Sequence, residues 1–189
     1  MDDSGTSSRS NKDGQKTFFK CNPKAAIKHP FTILVIGKYN WTSLLTEALI
    51  DYHENNNFTK IQVHKAISVK SAVSTLPNIY ADLVIILLDI MKHDCLIDVE
   101  SNLLALEPAI LCGRTVLVNP RRDLKRKDME ITYANIDSLK KKYNLLIIHA
   151  NIEDYLSRTF LARRIMVYSY KINKGGLPNL LHFSTTIED

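Results

Sequence analysis

The residues best placed to do chemistry follow a short apolar run. Thr32-Ile-Leu-Val-Ile36 ends at Gly37, and the chain continues Lys38-Tyr39-Asn40-Trp41-Thr42-Ser43-Leu44. A phosphate-binding loop in that place takes the form G-x-x-x-x-G-K-[ST]. Its glycines let backbone N–H groups wrap the phosphates, its lysine reaches the β/γ oxygens and its last hydroxyl holds magnesium. Here the first glycine stands, but Thr42 occupies the place of the second, Ser43 that of the lysine and Leu44 that of the metal ligand. Lys38 comes too early in the loop, and Trp41 is bulky where phosphates would lie and reads as a core anchor of the following helix. With no G-x-G-x-x-G either, motif mechanics disfavour phosphate and dinucleotide binding.

Other candidates carry less. His93, Asp94 and Cys95 are adjacent, so their side chains diverge, whereas metal ligands skip residues; a surface loop is the plainer reading. Asp89 ends an apolar run where catalytic acids do occur, without an evident partner acid or base. His64 and His149 read as hydrogen-bonded structural histidines. Cys112, beside Gly113, has no His or Asn arrangement to make it a nucleophile. Cys21, Cys95 and Cys112 form no C-x-x-C pair, so neither a disulfide framework nor a zinc knuckle is indicated. Arg121, Arg122, Lys125, Arg126 and Lys127 form the one dense basic cluster. A solvated loop is its plain reading and contact with nucleic-acid phosphate its sharper one.

Those positions need a scaffold. The chain has 189 residues, a net charge of +5 and 45% hydrophobic residues, a composition suited to one soluble domain in a reducing compartment. Its longest apolar run, Leu83 to Leu88, is far short of the ~20 residues of a membrane span. Residues 1–29 are polar with few apolar anchors and read as a mobile tail; residues 30–174 read as the folded domain and 175–189 as an apolar C-terminal segment. Within the domain, apolar runs at 32–36, 61–67, 83–88, 115–118 and 145–148 alternate with helical patterns. The first of these patterns is Trp41, Leu44, Leu45, Ala48, Leu49 and Tyr52. A helix capped by Asp98 is expected to break at Pro108 and stop at Gly113, and a last helix is expected over about 152–172, ended by Gly175-Gly176. This alternation predicts an α/β fold: a doubly wound, mostly parallel sheet of about five strands with five helices covering both faces.

With the loop after the first strand, this arrangement resembles a small-GTPase domain whose nucleotide motifs have been lost. Where that family carries D-x-x-G the chain has Ser68-Val-Lys-Ser71, for N-K-x-D it has Asn119-Pro120-Arg121-Arg122, and for S-A-K it has His149-Ala150-Asn151. The spacing from Asp51 to Ile61 leaves no room for a long switch loop and another strand. The chain further resembles the centromere protein M family of inactive GTPase-like subunits of the inner kinetochore. The resemblance runs from about Ile33 to Leu181, through Lys60-Ile-Gln-Val-His-Lys-Ala-Ile67, Asp82-Leu-Val-Ile-Ile-Leu-Leu-Asp89, Val99 to Leu117 and Leu177-Pro-Asn-Leu-Leu181. It implies a non-catalytic subunit in the nucleus, at the centromere. Such a subunit joins centromere proteins H, I and K in the constitutive centromere-associated network and contacts the helical-repeat protein I directly, without nucleotide, magnesium or other cofactor, small-molecule substrate or membrane.

A binding function needs a surface. At ~100° per residue, the last helix carries Ile152, Leu156, Phe160, Val167 and Tyr170 on one stripe, expected to cover the sheet. Leu161, Ile165, Tyr168 and Ile172 form a second stripe on nearly the opposite side. The second stripe asks for its own cover, either the segment Leu177 to Phe183 or a partner. Leu161, Ile165 and Tyr168 therefore join Leu111, Cys112, Leu177, Leu180 and Leu181 as expected interface residues. The competing functions are a divergent nucleotide hydrolase using Lys38 and Asp89, and a DNA-binding module using Arg121 to Lys127.

Overall fold

A computed structural model describes residues 30–56, 60–76 and 80–174. The segments 1–29 and 175–189, with Leu177, Leu180, Leu181 and the Gly175-Gly176 stop, lie outside the described residues. Five strands form one sheet: β1 (Phe31–Ile36), β2 (Ile61–Ala66), β3 (Leu83–Leu87), β4 (Thr115–Asn119) and β5 (Leu146–His149). Every pair is parallel, in the order β2-β1-β3-β4-β5. The helices are α1 (Tyr39–Asn56), α2 (Val69–Thr75), α3 (Cys95–Leu104), α4 (Pro108–Leu111), α5 (Tyr133–Tyr143) and α6 (Tyr155–Asn173), with a 3-10 turn at Arg126–Asp128. The doubly wound α/β architecture expected from the alternation is thus present, with β3 in the middle of the sheet.

The two-residue period of a strand divides the core in two. Ile33, Val35, Ile85, Leu87, Val116 and Ile148 face α1 and α6, while Leu34, Ile36, Val84, Ile86 and Leu117 face α2, α3, α4 and α5. Inner strands covered on both faces are apolar at most positions, and β1, β3 and β4 are buried throughout, with Thr32, Thr115 and Asn119 as their buried polar residues. The edge strand β2 is half-buried instead, with Gln62 and Lys65 exposed. One sheet face is roofed by two long helices in mutual contact, α1 of 18 residues and α6 of 19, and the other by four helices of 4 to 11 residues.

Local chemistry sets several boundaries differently from the periodicity. Helix α3 starts at Cys95 after Asp94, so Asp98 sits in its first turn rather than capping it. The helix has ended by Leu104, and Pro108 opens the separate helix α4 at its first position, where the missing N–H is no loss. There are consequently six α-helices among the described residues, not five. Asp154 caps α6 by accepting the Ser157 N–H at 2.7 Å, placing its start at Tyr155. Asn144 ends α5 with φ +50°, a left-handed position that asparagine tolerates.

At the edge where the strands begin, Asp82 Oδ2 accepts the Thr32 N–H at 2.9 Å and pins β3 to β1. Burial holds the Asp82 carboxyl above the usual carboxylate range, opposed by that bond and by Arg114, 3.9 Å away. Nearby, the Tyr168 hydroxyl donates to the Gly113 carbonyl at 2.9 Å, tying α6 to the turn that follows α4. Burial pushes the Tyr168 phenol up to about 12.

Candidate functional site

A doubly wound sheet of this order binds ligands at the carboxyl ends of its strands, where connections from β1 and β3 leave in opposite directions. Here each place where nucleotide chemistry would reside has another occupation. After β1 the chain makes a two-residue turn, Gly37-Lys38, directly into α1. The Thr42 N–H donates to the Lys38 carbonyl at 3.0 Å, and the Thr42 hydroxyl to the Tyr39 carbonyl at 2.8 Å. Trp41 and Thr42 are buried, Leu44 packs on the core, and Ser43 Oγ accepts from Lys65 at 3.1 Å. Lys38 lies over the Trp41 ring, 5.2 Å from its centroid. Gly37 itself has φ +148°, and a Cβ there would stand 2.8 Å from Leu87 Cβ. Packing on β3 is reason enough for this glycine.

After β2, Ser68 and Ser71 form a reciprocal cap on α2. Each side chain accepts the other's backbone N–H at 3.1 Å, and Asn102 Oδ1 takes the Val69 N–H at 2.7 Å. After β4 and β5, the two loops are laced together. The Ala150 N–H donates to Asn119 O (2.9 Å), Arg122 N–H to Ala150 O (3.0 Å) and Ile152 N–H to Pro120 O (2.9 Å). Asn119 is fully buried; its Oδ1 accepts the Arg121 N–H at 3.1 Å and its Nδ2 lies 3.3 Å from His149 Nδ1. Burial lowers the His149 pKa below 6.5; Asp137 opposes this, while Arg122, Lys140 and Arg164 add to it.

Among the remaining candidates, Cys95 is buried at the start of α3, and burial pushes its thiol up to about 11, so it is not a nucleophile at neutral pH. Asp89 Oδ1 is buried without a hydrogen-bond partner. The described residues contain no group of three metal-ligating side chains around it or elsewhere. Burial also lowers the His64 pKa.

The expected interface residues divide. Leu161, Ile165 and Tyr168 are core residues at 2%, 0% and 1% exposure, packed on the sheet with Ile172. The two stripes of α6 exist, but within the helix their assignment is reversed; Ile152, which precedes the helix, is buried in the sheet core as expected. Leu156, Phe160 and Tyr170 are 66%, 60% and 41% exposed, joined by half-buried Val167 and by Tyr155. Charge separates the stripes along most of the helix: Arg163 and Lys174 fall on the outward stripe, whereas the face of Leu161, Ile165, Tyr168 and Ile172 carries a charge only at its first turn, where Arg158 donates to the Ile152 carbonyl at 2.8 Å. Leu111 is half-buried against the core and Cys112 is exposed. In the basic cluster, Arg121 is engaged twice, bidentate on Asp123 at 3.0 Å and 3.9 Å from Glu153. Arg122, Lys125, Arg126 and Lys127 are exposed. Among the described residues, no helix is long and apolar enough to cross a membrane.

No protein family matches the chain, and no curated protein matches it.

Proposed function

We propose that the chain is a non-catalytic structural subunit of the inner kinetochore, a pseudo-GTPase of the constitutive centromere-associated network. In this reading it binds and stabilises a helical-repeat partner, centromere protein I, together with H and K, and acts in the nucleus at the centromere. One observation carries the non-catalytic part: the positions where a small GTPase holds phosphate, magnesium and base are taken up with packing and local hydrogen bonds. Thr42 and Trp41 are core residues, Ser68 and Ser71 cap a helix, and Asn119 joins two loops. The link to the kinetochore rests on the sequence resemblance.

The outward stripe of α6 supports the interaction part. A ridge of Leu156, Phe160, Val167 and Tyr170 is the convex apolar complement to the concave surface of a helical repeat. Leu111, Cys112, Leu177, Leu180 and Leu181 are assigned to the same interface from the sequence. Calorimetric titration of the full chain with GTP, GDP and ATP plus magnesium tests the first part. No binding at micromolar nucleotide is expected, and micromolar affinity refutes the reading.

A further inference from the structure

The end of the sheet where β4 and β5 finish carries a second surface, independent of the α6 ridge. Residues 121–128 contain five bases against two acids. The Arg121–Asp123 pair removes one charge of each sign and fixes the base of the loop. Arg122, Lys125, Arg126 and Lys127 project beyond it, exposed and without an acidic partner among the described residues; Asp128 is the acid left among them. The Arg122 backbone is bonded to Ala150, which sets this residue beside His149. Asn119 has its carbonyl oxygen fixed by the Arg121 N–H, so its amide donates to His149 Nδ1 and the ring proton sits on Nε2, a donor. Tyr133, 43% exposed, meets the His149 ring edge-on at 5.4 Å. Arg122, Lys140 and Arg164 all act on His149, with Asp137 as the opposing acid.

We infer that the β4–α5 loop, flanked by Tyr133 and His149, is a nucleic-acid contact surface that holds the phosphodiester backbone through Arg122, Lys125, Arg126 and Lys127. The alternative occupant of a basic patch is an acidic peptide. Peptide interfaces depend on apolar anchors, and within the β4–α5 loop itself, residues 120–132, no large apolar side chain is exposed. Spaced cations on a loop without an exposed apolar side chain of its own match phosphate contact, which requires charge and little else. No base-reading element accompanies the loop, so binding is independent of sequence.

Four phosphate contacts make affinity fall on the order of 100-fold between 50 and 200 mM salt. The test is fluorescence anisotropy of the full chain with a labelled 30-base-pair duplex at both salt concentrations. The first variant carries Arg122→Gln, Lys125→Gln, Arg126→Gln and Lys127→Gln, and circular dichroism checks its fold. A second removes equal charge elsewhere: Lys60→Gln, Lys70→Gln, Lys141→Gln and Arg163→Gln. A third keeps the charge, with Arg122→Lys and Arg126→Lys. The expected result is a loss of at least tenfold in the first variant at 50 mM salt, with a flatter salt dependence, and near wild-type binding in the other two. The inference is overturned by absent binding at 50 mM, by equal losses in the first and second variants, which signals net charge alone, or by a polyglutamate peptide binding as tightly as the duplex.

Discussion

Replacing Gly37 by alanine separates a glycine held by packing from one kept for phosphate. Its φ of +148° is strained for any L residue, and the added Cβ would stand 2.8 Å from Leu87 Cβ and 3.4 Å from Leu87 Cγ and the Leu87 carbonyl. The nearest atom is a Cβ fixed to the neighbouring strand, so no rotamer relieves the contact and β1 or β3 must shift. Backbone strain of ~1–3 kcal/mol and overpacking of ~1–3 kcal/mol give a destabilisation of about 2–6 kcal/mol. At about 2–4 °C per kcal/mol for a chain of this length, the melting temperature falls by about 4–24 °C. Trp41, the single tryptophan, is buried in the helix that Gly37 leads into, so urea denaturation followed by its fluorescence reads the change directly. Leu87→Gly removes the opposing Cβ. Combined with Gly37→Ala, it should destabilise by less than the sum of the two single changes, with a coupling of about 1–3 kcal/mol. A Gly37→Ala protein that melts within 1 °C of wild type, or strict additivity, refutes the packing account.

Phe160→Asp, on the outward stripe, should change stability by no more than about 0.5 kcal/mol and, under the proposed function, stop co-purification with centromere proteins H, I and K. Ile165→Asp, fully buried, should leave the chain unfolded by circular dichroism, and the opposite pattern would return the stripes to the assignment read from the sequence. His149 has a pKa below 6.5 in the folded chain because burial disfavours its charged form. As pH drops below 6.5, the unfolded chain takes up the proton first and stability is lost, whereas above 6.5 this contribution is complete. Urea midpoints should therefore fall between pH 7.5 and 5.5, and by less in His149→Asn; an identical fall in both proteins counts against the buried neutral ring.

Much of the architecture was legible because strand burial and apolar continuity are the same fact. Leu83 to Leu88 is unbroken in the sequence because β3 lies in the middle of a sheet covered on both faces. Boundaries were less legible where a cap rather than periodicity decides them: Asp154 starts α6, and Pro108 opens a helix instead of breaking one. The two stripes of α6 are nearly equal in apolar content and each carries an arginine, Arg163 outward and Arg158 inward, so neither periodicity nor a single charge could orient the helix. The departures from the GTPase motifs are readable in the sequence. What stands in their place is not, because a Ser68–Ser71 cap and the lacing of Asn119 to Ala150 depend on which loops the topology brings together. The neighbourhood of His149, Asn119 and Tyr133 joins two strand ends to a helix start, and no local spacing announces it.

The unequal roofing of the sheet has a dynamic consequence. Short helices held by few turns open locally at lower free energy than long ones, so amides of α2 and α4 are expected to exchange with solvent before those of α1 and α6. The apolar ridge thus rides on the stiffer half of the molecule, and presenting it requires little ordering at the moment of association. In any complex formed through α6, adaptation then falls to the incoming surface, with this domain serving as the template.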